Sequence, residues 1–105
     1  MSSENKPIIL TNFGYQRKNW IAPLEAIKDD FEVIYIHFNR KEDESESFTD
    51  STILYFSDFD NAQDLLDKVK PDIFIAMGLY SNVIYAIKHI CNKRNIPFVY
   101  MDHGV

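Results

Sequence analysis

Five short apolar runs alternate with amphipathic stretches along this chain, and that alternation constrains its fold more than any other feature. The runs are Lys6 to Phe13 (KPIILTNF), Phe31 to Phe38 (FEVIYIHF), Thr52 to Ser57 (TILYFS), Asp72 to Met77 (DIFIAM) and Pro97 to Met101 (PFVYM). The second is apolar on both alternating faces apart from Glu32 and His37, the pattern of a strand covered on both sides. Between the runs lie helical patterns. Trp20, Leu24, Ile27 and Phe31 recur at i, i+4, i+7 and i+11, with Asn19 as the expected N-cap and Pro23 near the first turn, where a missing N–H is tolerated. Asp60 and Gln63 suggest a capping box ahead of Ala62, Leu65, Leu66 and Val69, a helix stopped at Lys70 by Pro71. Val83, Ile84, Ile87, Ile90 and Cys91 form the third stripe, with Ser81 as N-cap and an end at Asn95 to Pro97.

The order β-α-β-loop-β-α-β-α-β with buried strands predicts a Rossmann-like three-layer α/β/α sandwich around a mostly parallel five-stranded sheet. Right-handed crossovers give the strand order 3-2-1-4-5. The acidic connection 39–51, read as a mobile loop, is barely long enough for a parallel crossover, so it leaves the direction of the third strand open. At 105 residues and 46% hydrophobic, the chain makes one domain, 1–105, with a core that needs no disulfide or metal. A single cysteine and a polar start, Met1 to Lys6, point to a reducing cytoplasmic setting. No stretch has the roughly 18 apolar residues of a membrane span, which leaves peripheral contact at the inner membrane face open.

Charge narrows the partners. Sixteen acids against 11 bases give −5. Lys41 to Ser47 (KEDESES) reads as a solvated charge run without calcium-loop spacing. There is no basic stripe for a phosphate backbone, which argues against nucleic acid.

Ligands of open α/β sheets bind beyond the strand carboxyl ends, near the point where the strand order reverses. All three glycines, Gly14, Gly78 and Gly104, follow strands there. One glycine would merely make a turn; three read as a rim where backbone approaches a ligand. Arg17 and Lys18, with the helix starts at Asn19 and Ser81, suit a phosphate or a sugar hydroxyl. Tyr15 and Tyr80 either stack on a sugar or base or pack in the core. His103 is the most chemically loaded residue. Its neighbour Asp102 points to the opposite face, so the two make no dyad. His37 stands about 14 Å away by strand spacing, and His89 and Cys91 do not face each other on their helix. No metal site and no cofactor are expected, and Cys91 reads as core.

Thr11-Asn12-Phe13-Gly14-Tyr15-Gln16 is neither a dinucleotide fingerprint nor a P-loop, nor the Ser/Thr/Gly-rich phosphate loop of a flavodoxin. Lys70 to Gly104 instead resembles the last β-α-β unit of the N-terminal domain of GT-B fold glycosyltransferases. The resemblance rests on Pro71-Asp72, the apolar strand Ile73 to Met77, the turn at Gly78, the helix from Ser81 to Arg94, Ile96-Pro97 and His103-Gly104. It implies an acceptor-side portion of a two-domain enzyme, inactive without the C-terminal domain that holds the nucleotide-sugar donor. Gly14 would let the first loop approach a sugar or lipid-linked acceptor. His103 would touch the transferring sugar or act in acid/base catalysis. Because the sequence stops at Val105, the last strand is expected to keep an uncovered apolar edge prone to self-association. Two other readings fit the same rim: a stand-alone flavodoxin-like module for a small anion or partner protein, and a sugar-nucleotide epimerase fragment.

Overall fold

The run Ile8–Thr11 forms β1, the central strand of the sheet. The structure, a computed structural model, describes residues 6–12, 18–38, 50–77 and 82–101. After β1 come α1 (Lys18–Glu25), β2 (Glu32–His37), β3 (Thr52–Tyr55), a 3-10 turn (Phe56–Asp58), α2 (Ala62–Val69), β4 (Ile73–Met77), α3 (Asn82–Lys93) and β5 (Phe98–Met101). The strand order is β3-β2-β1-β4-β5. Every pair is parallel, β2 with β3 included, where Ile34 lies opposite Thr52 and His37 opposite Tyr55. The expected Rossmann-like order therefore holds, and it differs from the 2-1-3-4-5 order of flavodoxins.

Alternation along the strands divides the core in two. Leu10, Ile34, Ile36, Phe74 and Ala76 pack with Leu65 and Leu66 of α2 and Ile84, Ile87 and Cys91 of α3. Ile9, Val33 and Tyr35 face the other way, onto Leu24 of α1, with Ile27, Phe31, Ile73 and Ile75 around them. These are the three layers. Each fully buried Leu or Ile contributes on the order of 1.5–3 kcal/mol of transfer free energy, and these residues are what hold helices to both faces. Asp72 ties β4 to β1 at their starts: its Oδ2 accepts from Ile8 N–H at 2.7 Å, and its own N–H donates to Ile8 O at 2.9 Å.

Three boundaries differ from the sequence expectation. α1 begins at Lys18, so Asn19 lies in its first turn and is not its cap; Pro23 falls in the second half of the eight-residue helix. Proline removes one intrahelical donor, and beyond Ala26 N–H to Ala22 O the bonding tightens to i−3 contacts such as Ile27 to Leu24, 3.3 Å, and Lys28 to Glu25, 3.4 Å. Ile27 and Phe31 thus reach the core from turns. In α2 the cap is Asn61, whose side chain accepts from Asp64 N–H at 2.8 Å, while Asp64 Oδ2 accepts from Asp60 N–H at 3.0 Å. The box is Asn61 with Asp64, one residue later than the Asp60 and Gln63 pair. Lys70 closes α2 in the left-handed region at φ 55°, just before Pro71. The end of α3 is a Schellman motif: Asn95 has φ 61°, Ile96 N–H reaches Cys91 O at 2.9 Å, and Ile96 packs onto the core.

Candidate functional site

The carboxyl edge of the sheet is where the strand order reverses, between β1 and β4. The chain leaves the sheet at Thr11, Met77 and Met101, the ends of the adjacent strands β1, β4 and β5. Thr11 stands opposite Ile75, and Met77 opposite Met101. The connections that carry the sequence candidates therefore depart from three neighbouring strands. The candidates themselves, Gly14, Tyr15, Arg17, Gly78, Tyr80, Ser81, His103 and Gly104, lie outside the described residues, as does most of the acidic loop, residues 39–49.

The described part of the rim has two unlike faces. By alternation from Ile9, Tyr35 and Ile53, which face α1, Thr11, His37 and Tyr55 share the α1 side. Thr11 is fully buried. His37 and Tyr55 are register partners whose rings meet edge to face at 5.7 Å and 77°, and His37 Nδ1 and the Tyr55 hydroxyl are both shielded from solvent. On the α2–α3 side the same edge is aromatic: Phe38 and Phe56 meet edge to face at 5.7 Å and pack onto the core. Thr11 and Tyr55 were missed from sequence, although one signal was present. The last α1-facing residue of each of the first three strands is polar.

A concavity of about 400 Å³ opens at the amino edge among Lys6, Lys28, Phe31, Asp50 and Thr52. Lys6, Lys28 and Asp50 are hydrogen-bonded there, and Glu32 adds a further carboxylate to the lining. Lys28 Nζ bonds Asp50 Oδ1 and, at 3.1 Å, Glu25 Oε1, while Lys6 Nζ donates to Lys28 O at 3.0 Å. The hydrogen bond to Asp50 chiefly holds the Lys28 ammonium above its ordinary range, and the same bond holds the Asp50 carboxyl below its own. This cleft is a cross-brace, on the opposite edge from the strand-end rim.

Among the described residues, no group of three His, Cys, Asp or Glu could hold a metal ion, and no helix is long and apolar enough to cross a membrane. Burial pushes the Cys91 thiol up. In comparisons with known proteins, no family model, no curated protein and no solved structure matches the chain.

Proposed function

We propose that this chain is the acceptor-side α/β unit of a GT-B type glycosyltransferase, which moves a sugar from a nucleotide-sugar donor to an acceptor hydroxyl. The observation that carries the reading is the adjacency of β1, β4 and β5. The strands that Gly14, Tyr15 and Arg17, then Gly78, Tyr80 and Ser81, and last His103 and Gly104 follow in sequence are neighbours, which supports reading these residues as one rim. The polar row of Thr11, His37 and Tyr55 lies on the α1 side of the carboxyl edge. In this reading the rim holds the acceptor, a second α/β domain brings the donor, and His103 contacts the transferring sugar or shuttles its proton. The setting is a reducing compartment, with peripheral contact to a membrane where the acceptor is lipid-linked.

The test is sugar transfer, or nucleotide-sugar hydrolysis, by the full open reading frame that contains this chain. His103→Ala is expected to lower turnover by at least about 100-fold, the usual scale of general acid–base assistance. Wild-type turnover in that variant removes His103 from the mechanism. A reading frame without a donor-binding domain removes the two-domain reading and leaves a stand-alone binding module.

A further inference from the structure

The concavity at the amino edge holds more hydrogen-bonding capacity than the brace uses. Its volume, about 400 Å³, falls in the range of pockets that take a small molecule, roughly 300–1,000 Å³. Three segments far apart in sequence build it: Lys6 ahead of β1, the stretch from Lys28 through Phe31 to Glu32 that leads from α1 into β2, and Asp50 ahead of β3. The half-buried Phe31 lines it beside the buried Val33, so part of the wall is apolar.

Charge and hydrogen bonding narrow what could enter. Two ammoniums, Lys6 and Lys28, share the lining with two carboxylates, Glu32 and Asp50. An ion of either sign therefore meets a like charge, and a neutral molecule does not. An ammonium has three N–H donors. Lys28 directs two of them to Glu25 and Asp50, and Lys6 directs one to Lys28 O at 3.0 Å. The Asp50 side chain is 93% exposed, so its carboxylate keeps acceptor positions turned to solvent beside the one that Lys28 fills. Donor and acceptor thus lie side by side on a neutralised pair. A hydroxyl, which donates and accepts at once, is the complement of that arrangement.

We propose that this concavity binds a small neutral polyol of the monosaccharide class. Its hydroxyls accept from Lys6 and Lys28 and donate to Asp50, and its C–H face lies on the Phe31 ring. The site is at the amino edge of the sheet, and the proposal stands independently of the glycosyl-transfer reading.

The test is titration of the 105-residue chain with D-glucose, followed through the amide resonances of Phe31, Val33 and Thr52. About a dozen heavy atoms at drug-like ligand efficiency correspond to a Kd of about 1–10 mM, and saturable shifts are expected in that range. Asp50→Ala removes the exposed acceptor and is expected to weaken binding at least about fivefold, the scale of one lost hydrogen bond. Phe31→Leu keeps apolar bulk without the flat ring and is expected to weaken it as well. Sodium acetate, ethylammonium chloride and glycine, an anion, a cation and a zwitterion, are expected to give no saturable shift at these amides. No saturation by glucose up to about 100 mM, unchanged affinity in Asp50→Ala, or a charged probe that binds as tightly as glucose would each overturn the proposal. If Phe31→Leu does not fold, Asp50→Ala, at an exposed position, decides.

Discussion

The Tyr35 hydroxyl donates to Glu25 Oε2 at 2.7 Å, pinning the end of α1 to the centre of β2. Tyr35 is fully buried and Glu25 half-buried. The same carboxylate accepts from Lys28, so one side chain links helix, strand and the amino-edge brace. A charge-assisted bond of this kind contributes about 1.5–3 kcal/mol where water is excluded. Water still reaches Glu25, so Tyr35→Phe is expected to cost about 1 kcal/mol, read as a lower urea midpoint at unchanged slope.

The brace also sets a pH dependence. Asp50 and Asp64 have carboxyls held below the ordinary value of 3.8, by Lys28 and by the Asp60 N–H respectively. Their stabilisation is complete above that value and fades as pH falls through the depressed folded-state range. Lys28 is held above its ordinary 10.5, chiefly by Asp50. Its share is complete below 10.5 and is lost as pH rises through the raised value. The melting temperature is therefore expected to be flat from 3.8 up to 9.0, the ordinary value of the buried Cys91 thiol, which is itself held higher in the fold, and to fall outside that window. Asp50→Asn should shrink the Lys28 part of the alkaline fall, and because Asp50 is exposed the effect should diminish in high salt.

The helix ends of α2 respond in opposite directions. Asn61→Ala removes the cap acceptor for Asp64 N–H and is expected to cost about 1 kcal/mol. Lys70→Gly relieves a left-handed residue at φ 55° and is expected to stabilise by about 0.5–1 kcal/mol. Paired thermal melts of the two variants check both signs.

Cys91 is fully buried and its thiol is pushed up by that burial. It is expected to resist a thiol-directed reagent at neutral pH in the folded chain and to react fully in denaturant. Rapid modification of the native protein would contradict its place between α3 and the sheet.

The strands were legible because their residues are apolar on both faces, a demand that few other local structures make. Leu10 and Ile9 sit one residue apart on opposite sides of the sheet. What period could not show is where α1 stops. Ile27 and Phe31 fall at helical spacing and are packed in the core, but a turn closed by Phe31 N–H to Ile27 O at 3.0 Å brings them there as well as a helix would. The cap of α2 falls one residue beyond the expected one because Asp60 and Asn61 are adjacent polar candidates, between which only the hydrogen bond to Asp64 N–H decides. The Lys28–Asp50 pair joins residues 22 apart, a distance no local pattern reaches. Of the rim, the sequence showed which strand ends carry glycines and a histidine, and the sheet order made those ends neighbours. The row of Thr11, His37 and Tyr55 is present in the alternation, but only the order and register of β1, β2 and β3 set the three side by side.

The double tie between Asp72 and Ile8 spans 64 residues. During synthesis, when the N-terminus emerges first, β1 can acquire β2 early but must wait for β4 before its second edge is filled. For that interval the most buried strand of the finished sheet is a bare apolar edge. Folding of this chain on the ribosome is therefore gated by the arrival of residues 72–77, and a pause before them would prolong the period when the nascent chain most needs a chaperone.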